Sequence, residues 1–201
     1  QQADPAPATT TDDAAAAAAP ATAAAEKVVL AASVPNMHKP LPPVPDGLRA
    51  DDVTLLLFYQ YVEPAWTKKQ HTKAVARVTQ LARDHGVFGR GRCAPEGLNC
   101  TLTGPAQGLR AFCLGLRAWR PAVFDGTDFK LTDGLPHARR FKSLTIRKAA
   151  ELVAYGLDGA RAPSLAAHAG THLTADKYHA MLNEDDGGNT VVIDVRNAYE
   201  S

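Results

Sequence analysis

The chain has 201 residues, a formal net charge of +1 and 45% hydrophobic residues, enough for one or two domains with a core. No run of about 18 apolar residues occurs, so no membrane-spanning helix is expected. The three cysteines, Cys93, Cys100 and Cys113, form no CxxC pair and no Cys/His cluster at metal-binding spacing. Neither a disulfide framework, a metal site nor a cofactor is therefore expected.

Residues 1–52 are low in complexity. The tract DDAAAAAAPATAAAE is mostly alanine, and eight prolines precede Asp46. Alanine favours helix, but this tract has no apolar stripe with which to dock, and proline interrupts it. The expectation is a disordered tail running into an extended linker. The chain begins with Gln1, not Met, and no basic flank and apolar segment mark a secretory signal, so it reads as processed or cut from something longer. A remnant of an organelle transit peptide is an open alternative, although the tail has no Arg before Arg49 and carries Asp4, Asp12, Asp13 and Glu26.

From Val53 to about Asp158 the texture is globular. VTLLLFYQYV (53–62) is rich in strand formers. In WTKKQHTKAVARVTQLARDHG the residues His71, Val75, Val78, Leu81, Ala82 and His85 recur at three- and four-residue steps, one stripe of an amphipathic helix that Gly86 ends. VFGRGRCA and LNCTLTG read as two short strands joined by the turn-forming PEG. PAQGLRAFCLGLRAW predicts a second helix, with Pro105 in its first turn and a stripe of Leu109, Phe112, Cys113, Leu116 and Trp119. A loop through Asp125 and Gly134 then leads to ARRFKSLTIRKAAELV, read as a last strand passing into a short helix. The order β-α-β-β-α-β predicts an α+β ferredoxin-like domain at 53–158, two helices covering one face of a four-stranded antiparallel sheet.

Residues 159–201 begin another unit. THLTADKYHAMLNEDDGGN gives a helix start at Thr174, a short stripe of Tyr178, Met181 and Leu182, and an acidic glycine-rich turn. The run VVIDV predicts a strand covered on both faces, which needs pairing partners.

Three stretches resemble one family. FGRGRCAPEGLNCTLTG is similar, through Gly89, Arg90, Glu96, Gly97, Leu98 and Asn99, to a signature of the rhodanese-domain proteins that include the bacterial tRNA uridine hydroxylases. FKSLTIRKAAELVAYG is similar to a later stretch of that family through Phe141, Arg147, Lys148, Glu151, Val153 and Gly156. The ending resembles the entry into a rhodanese domain, with Asp194, Val195, Arg196 and Asn197 followed by Tyr199 and Glu200. The resemblance implies an N-terminal ferredoxin-like domain followed by an α/β rhodanese domain, of which this chain would hold only the truncated beginning. In that family the active-site cysteine lies in a Cys-x-Gly-Gly-x-Arg-Cys loop further along, and none of the three cysteines here matches it. The chain is accordingly expected to be inert as a sulfurtransferase.

Other residues are candidates by their chemistry. Arg90 and Arg92 could lower the pKa of a neighbouring thiol, and Cys93, near a turn, is the thiol expected to be more exposed. Glu96 and Asn99 could contact substrate from the hairpin, but Gly97 and Asn99 also suit a turn on their own. For Asp194 and Arg196 the resemblance to a rhodanese domain implies that they hold loops at the end of a strand and do not act as acid and base. The seven histidines have no metal-binding spacing.

Charge is unevenly placed. Between Val53 and Ala150 there are sixteen Lys and Arg against six Asp and Glu. The densest cluster is Arg139, Arg140, Lys142, Arg147 and Lys148 with Phe141 interleaved; Arg90 and Arg92 form another, and Lys68, Lys69 and Lys73 a third. A sheet face carrying arginines and an aromatic suits phosphate contact and base stacking, so RNA is the expected partner, and tRNA the one the resemblance implies. A general sulfurtransferase and a non-catalytic RNA-binding short form are the alternatives. The expected compartment is the cytoplasm, with a plastid or mitochondrion as the alternative raised by the alanine-rich tail.

Overall fold

The computed structural model describes residues 40–153, 156, 164, 167, 170, 171, 173–184 and 190–194. The alanine-rich tract and the glycine-rich turn at 185–188 lie outside the described residues. β1 (Val53–Tyr61) alternates in burial, so Leu56 and Phe58 face inward while Leu57 and Tyr59 face solvent. α1 (Lys68–Asp84) begins at Thr67, whose hydroxyl accepts from the Gln70 amide while the Gln70 side chain accepts from the Thr67 amide. This reciprocal cap satisfies two otherwise orphaned donors and fixes the start of the helix. Its inner face is His71, Ala74, Val78, Leu81 and Ala82; Val75 and His85 sit at the margins of the stripe. The buried His71 ring donates from Nε2 to the Cys93 carbonyl at 2.7 Å, so its role is to tie α1 to the sheet.

β2 (Phe88–Ala94) and β3 (Gly97–Gly104) form the expected hairpin around Pro95 and Glu96. α2 (Ala106–Trp119) buries Leu109, Phe112, Cys113 and Leu116, with Trp119 half-buried and Pro105 at the cap position. A single further turn, α3 (Pro121–Phe124), follows. The next strand is not where the sequence placed it: β4 (Lys130–Leu135) lies within the predicted loop. After a 3-10 turn at His137–Arg139 comes β5 (Leu144–Lys148), and no helix follows it through Val153.

Among the described residues the sheet therefore has five strands, in the order β4-β1-β3-β2-β5. The first four, all antiparallel, complete the ferredoxin-like pattern; β5 is added beside β2 in parallel. The βαββαβ expectation holds, with its last strand supplied by β4 and not by the basic segment.

One face of the sheet packs against α1 and α2. The core there joins Leu56, Phe58, Val78, Leu98, Cys100, Leu102, Leu109, Phe112, Leu116 and Phe124. Each such large side chain contributes about 1.5–3 kcal/mol on burial. Phe129, just before β4, meets Phe58 edge-on at 5.1 Å between centroids. Residues 40–52 form no helix or strand, turn at Asp46–Gly47 and Ala50–Asp51, and are anchored: Arg110 on α2 donates to the carbonyls of Pro42 and Pro43 at 2.7 and 2.9 Å. The same guanidinium pairs with Asp133 on β4 at 2.9 Å.

The helix α4 (Ala175–Asn183) forms where Thr174 caps it, and none of its residues is buried. Residues 190–194 are exposed and adopt no strand. The strand expected for VVIDV is thus absent from its described part, because no strand among the described residues pairs with it.

Candidate nucleic-acid interface

The second face of the sheet carries no helix among the described residues. Side chains alternate along each strand, so β2 sends Cys93 inward and Arg90 and Arg92 outward. Pairing then aligns rows across the face. One row runs Lys130, Leu57, Thr101, Arg90 and Thr145 across β4, β1, β3, β2 and β5. The next runs Tyr59, Asn99, Arg92 and Arg147.

The segment between the 3-10 turn and β5 folds over one side of this face. The Phe141 amide donates to the Thr103 hydroxyl at 2.9 Å, and the Gly89 amide to the Ser143 carbonyl at 2.9 Å. The Arg90 guanidinium lies over the Phe141 ring at 5.5 Å, and that of Arg140 over the Phe88 ring at 4.3 Å. The result is a concavity of about 670 Å³ into which Arg90, Arg92, Arg140, Lys142 and Arg147 converge beside Asn99, Thr101 and Phe141. Among the described residues that line it, none is an Asp or Glu. Five cations without an acid raise the local potential, and two of them, Arg92 and Arg147, stand directly opposite each other, a repulsion that a bound anion would relieve.

The expected RNA-contacting residues divide. Arg90, Arg92, Arg140, Lys142 and Arg147 come together. Arg139 is exposed on the 3-10 turn outside the concavity, and the Lys148 ammonium is turned to the Thr72 hydroxyl of α1 at 2.9 Å. The family-motif residues divide too. Asn99 lines the site, but the Glu96 carboxylate accepts from the Leu152 amide and its carbonyl from the Val62 amide, a structural tie between the hairpin and the segment after β5. Gly97 has φ +143°, and a Cβ there would collide with the Gln60 carbonyl oxygen, so its place is to let two strands meet. Asp194 is exposed, while Arg196, Asn197 and Glu200 lie outside the described residues.

One thiol is not placed as expected. Cys93 is fully buried, not exposed, and burial pushes it up to about 12; only Lys148 pulls the other way, and Arg90 and Arg92 point to the opposite face. Cys113 is likewise pushed up to about 12 by burial, and Cys100 is raised by burial and by Cys93. Thiols of this kind are poor nucleophiles. Among the described residues no group of three or more His, Cys, Asp and Glu could hold a metal ion, and no helix is long and apolar enough to cross a membrane.

The sequence alone did not point to Thr101, Ser143 and Thr145 in the concavity, nor to Leu57 and Tyr59 beside it. Side chains alternate along a strand, so with Leu56 and Phe58 in the core Leu57 and Tyr59 fall on the other face.

Residues 53–152 match the model of the UPF0176 acylphosphatase like domain. The chain belongs to this family through that domain. The UPF0176 domain spans β1 through Leu152, the residue whose amide Glu96 holds. The chain is also homologous to rhodanese-like proteins and tRNA uridine(34) hydroxylases. It is 30% identical over 149 residues to a tRNA uridine(34) hydroxylase of Staphylococcus carnosus, covering 74% of this chain and 43% of that one. It is 28% identical over 155 residues to one of Prochlorococcus marinus, covering 77% and 46%. To the Rhodanese-like domain-containing protein 6 of Arabidopsis thaliana it is 29% identical over 158 residues, covering 73% and 26%. The chain thus spans less than half the length of these relatives.

Proposed function

We propose that the UPF0176 domain of this chain holds tRNA for modification at a uridine, binding the phosphate backbone on its open sheet face. The observation that carries this reading is the convergence of five cations in one concavity, with no acidic residue among the described residues that line it. Names of the homologues direct it to tRNA, and the charge asymmetry of the domain agrees. The chemistry itself is assigned to a rhodanese cysteine that is not among these residues, since Cys93, Cys100 and Cys113 are buried in a domain core and none stands in a Cys-x-Gly-Gly-x-Arg-Cys loop. In this reading the 201 residues bind but do not transfer sulfur from thiosulfate to cyanide. The compartment follows the tRNA: the cytoplasm, or alternatively a plastid or mitochondrion.

The test is tRNA binding as a function of salt. Affinity should fall linearly on a log–log plot, because each phosphate contact releases counterions. Replacing Arg90, Arg92 and Arg147 together by Ala should weaken binding at least tenfold and flatten the slope by about one for each phosphate no longer neutralised. An unchanged affinity and slope would remove the proposal. Arg139→Ala should matter less than any of the three.

A further inference from the structure

The cations account for affinity to a phosphate backbone but not for what lies next to them. β1 presents Leu57 and Tyr59 on the open face, 43% and 65% exposed. They sit in the two rows that contain Arg90 and Arg92. Isolated exposed apolar side chains are ordinary. Here they form a strip along one strand, with Lys130 across from Leu57 on β4 and the arginines of β2 and β5 on the other side. The Tyr59 ring is held by an edge contact to Tyr61, with centroids 6.3 Å apart and planes at 73°. One of its faces can be stacked upon without displacing any described helix, since none covers this side.

Flat apolar area flanked by cations matches one ligand chemistry well. A nucleotide has a π-face and an anionic backbone, and a sheet offers both at the right scale. Arg92 is two strands from Tyr59, about 10 Å across the sheet, and Arg147 one strand further. A base paired in a duplex is already stacked and cannot lie on such a ring; an unpaired base can. An acidic peptide would satisfy the arginines but leave Tyr59 without a partner.

We infer that this face takes single-stranded RNA, with an unpaired base stacked on Tyr59 and the adjoining phosphates held by Arg92 and Arg147. The inference rests on the RNA-binding reading and specifies its substrate as a loop or end, not a helix.

The test uses the full chain, a short oligouridine and an RNA duplex of equal charge. Tyr59→Ala should weaken oligouridine binding about tenfold and leave duplex binding unchanged, and Tyr59→Phe should retain it, since stacking needs the ring and not the hydroxyl. Tyr59→Trp should bind and add a fluorescence component that oligouridine quenches. If Tyr59→Ala is without effect while the Arg92 and Arg147 variants still lose affinity, the stacking inference fails and the phosphate reading stands. If oligouridine and tRNA both fail to bind at low salt, the two fall together. Polyglutamate binding that oligouridine does not displace would assign the face to a protein partner and overturn the inference.

Discussion

Arg92 and Arg147 are register partners on adjacent parallel strands, so two guanidinium groups share one row of an open sheet face. The Arg92 side chain is steadied by donation to the Glu151 carbonyl at 3.2 Å, but among the described residues no carboxylate lines the concavity they enter. A fold selected for stability alone would not place like charges in register. Arg147→Thr should therefore raise the urea midpoint, by about 0.2–1 kcal/mol in stability, while lowering RNA affinity. A variant that loses stability as well as affinity would mean that the arginine is part of the scaffold.

Asp133 gives a pH dependence of defined sign. The Arg110 guanidinium holds its carboxyl below the ordinary value of 3.8, with help from the Thr54 hydroxyl at 2.6 Å and against partial burial. A depressed folded-state pKa contributes stability above the unfolded value and loses it as pH falls through the folded one. Asp133→Asn should cost about 1 kcal/mol at pH 7, since solvent screens part of the attraction, and the gap to the parent should narrow below about pH 4. Urea unfolding at several pH values measures this; a gap that does not change with pH would show that the ion pair contributes nothing.

The buried thiols predict silence. With Cys93 and Cys113 pushed up to about 12 and Cys100 enclosed, a disulfide-exchange reagent at pH 8 should label none of them in the native chain. All three should react together once denaturant unfolds the domain. Rapid labelling of Cys93 without denaturant would contradict its placement under α1.

Two glycines separate backbone strain from close approach. Gly86 has φ +63° with open space around it, whereas Gly97 combines φ +143° with a Gln60 carbonyl that leaves no room for a Cβ. Gly86→Ala should cost about 1 kcal/mol, the strain of a left-handed residue. Gly97→Ala should cost about 3 kcal/mol or more, since backbone must move. Equal midpoints for the two variants would deny the contact between β1 and the hairpin turn.

Most of the fold could be read from residues because its elements advertise themselves. α1 and α2 carry stripes that recur every three or four residues, and PEG punctuates the hairpin. β4 was hidden: KLTDGL is six residues with a glycine and an aspartate, and its burial is only partial, as befits the edge of a sheet. Its strand character comes from pairing with β1, a tertiary effect that local pattern does not record. The site was legible as charge but not as shape. RRFK looked like one cluster, yet only Arg140, Phe141 and Lys142 of it line the concavity. Asn99 and Thr101 on β3 lie far in sequence from Thr145 on β5, and register through β2 brings them together. Cys93 misled because proximity to Arg90 and Arg92 along a strand means opposite faces, not contact.

β5 closes the sheet on one side, and among the described residues its outer backbone has no strand beside it. Arg147 and Lys148 are both exposed on that margin. Positive charge on an unprotected margin repels a second copy that would otherwise zip onto it. Arg147, proposed to grip RNA, thus also guards with Lys148 against self-assembly, and removing both should make concentrated protein prone to form fibres.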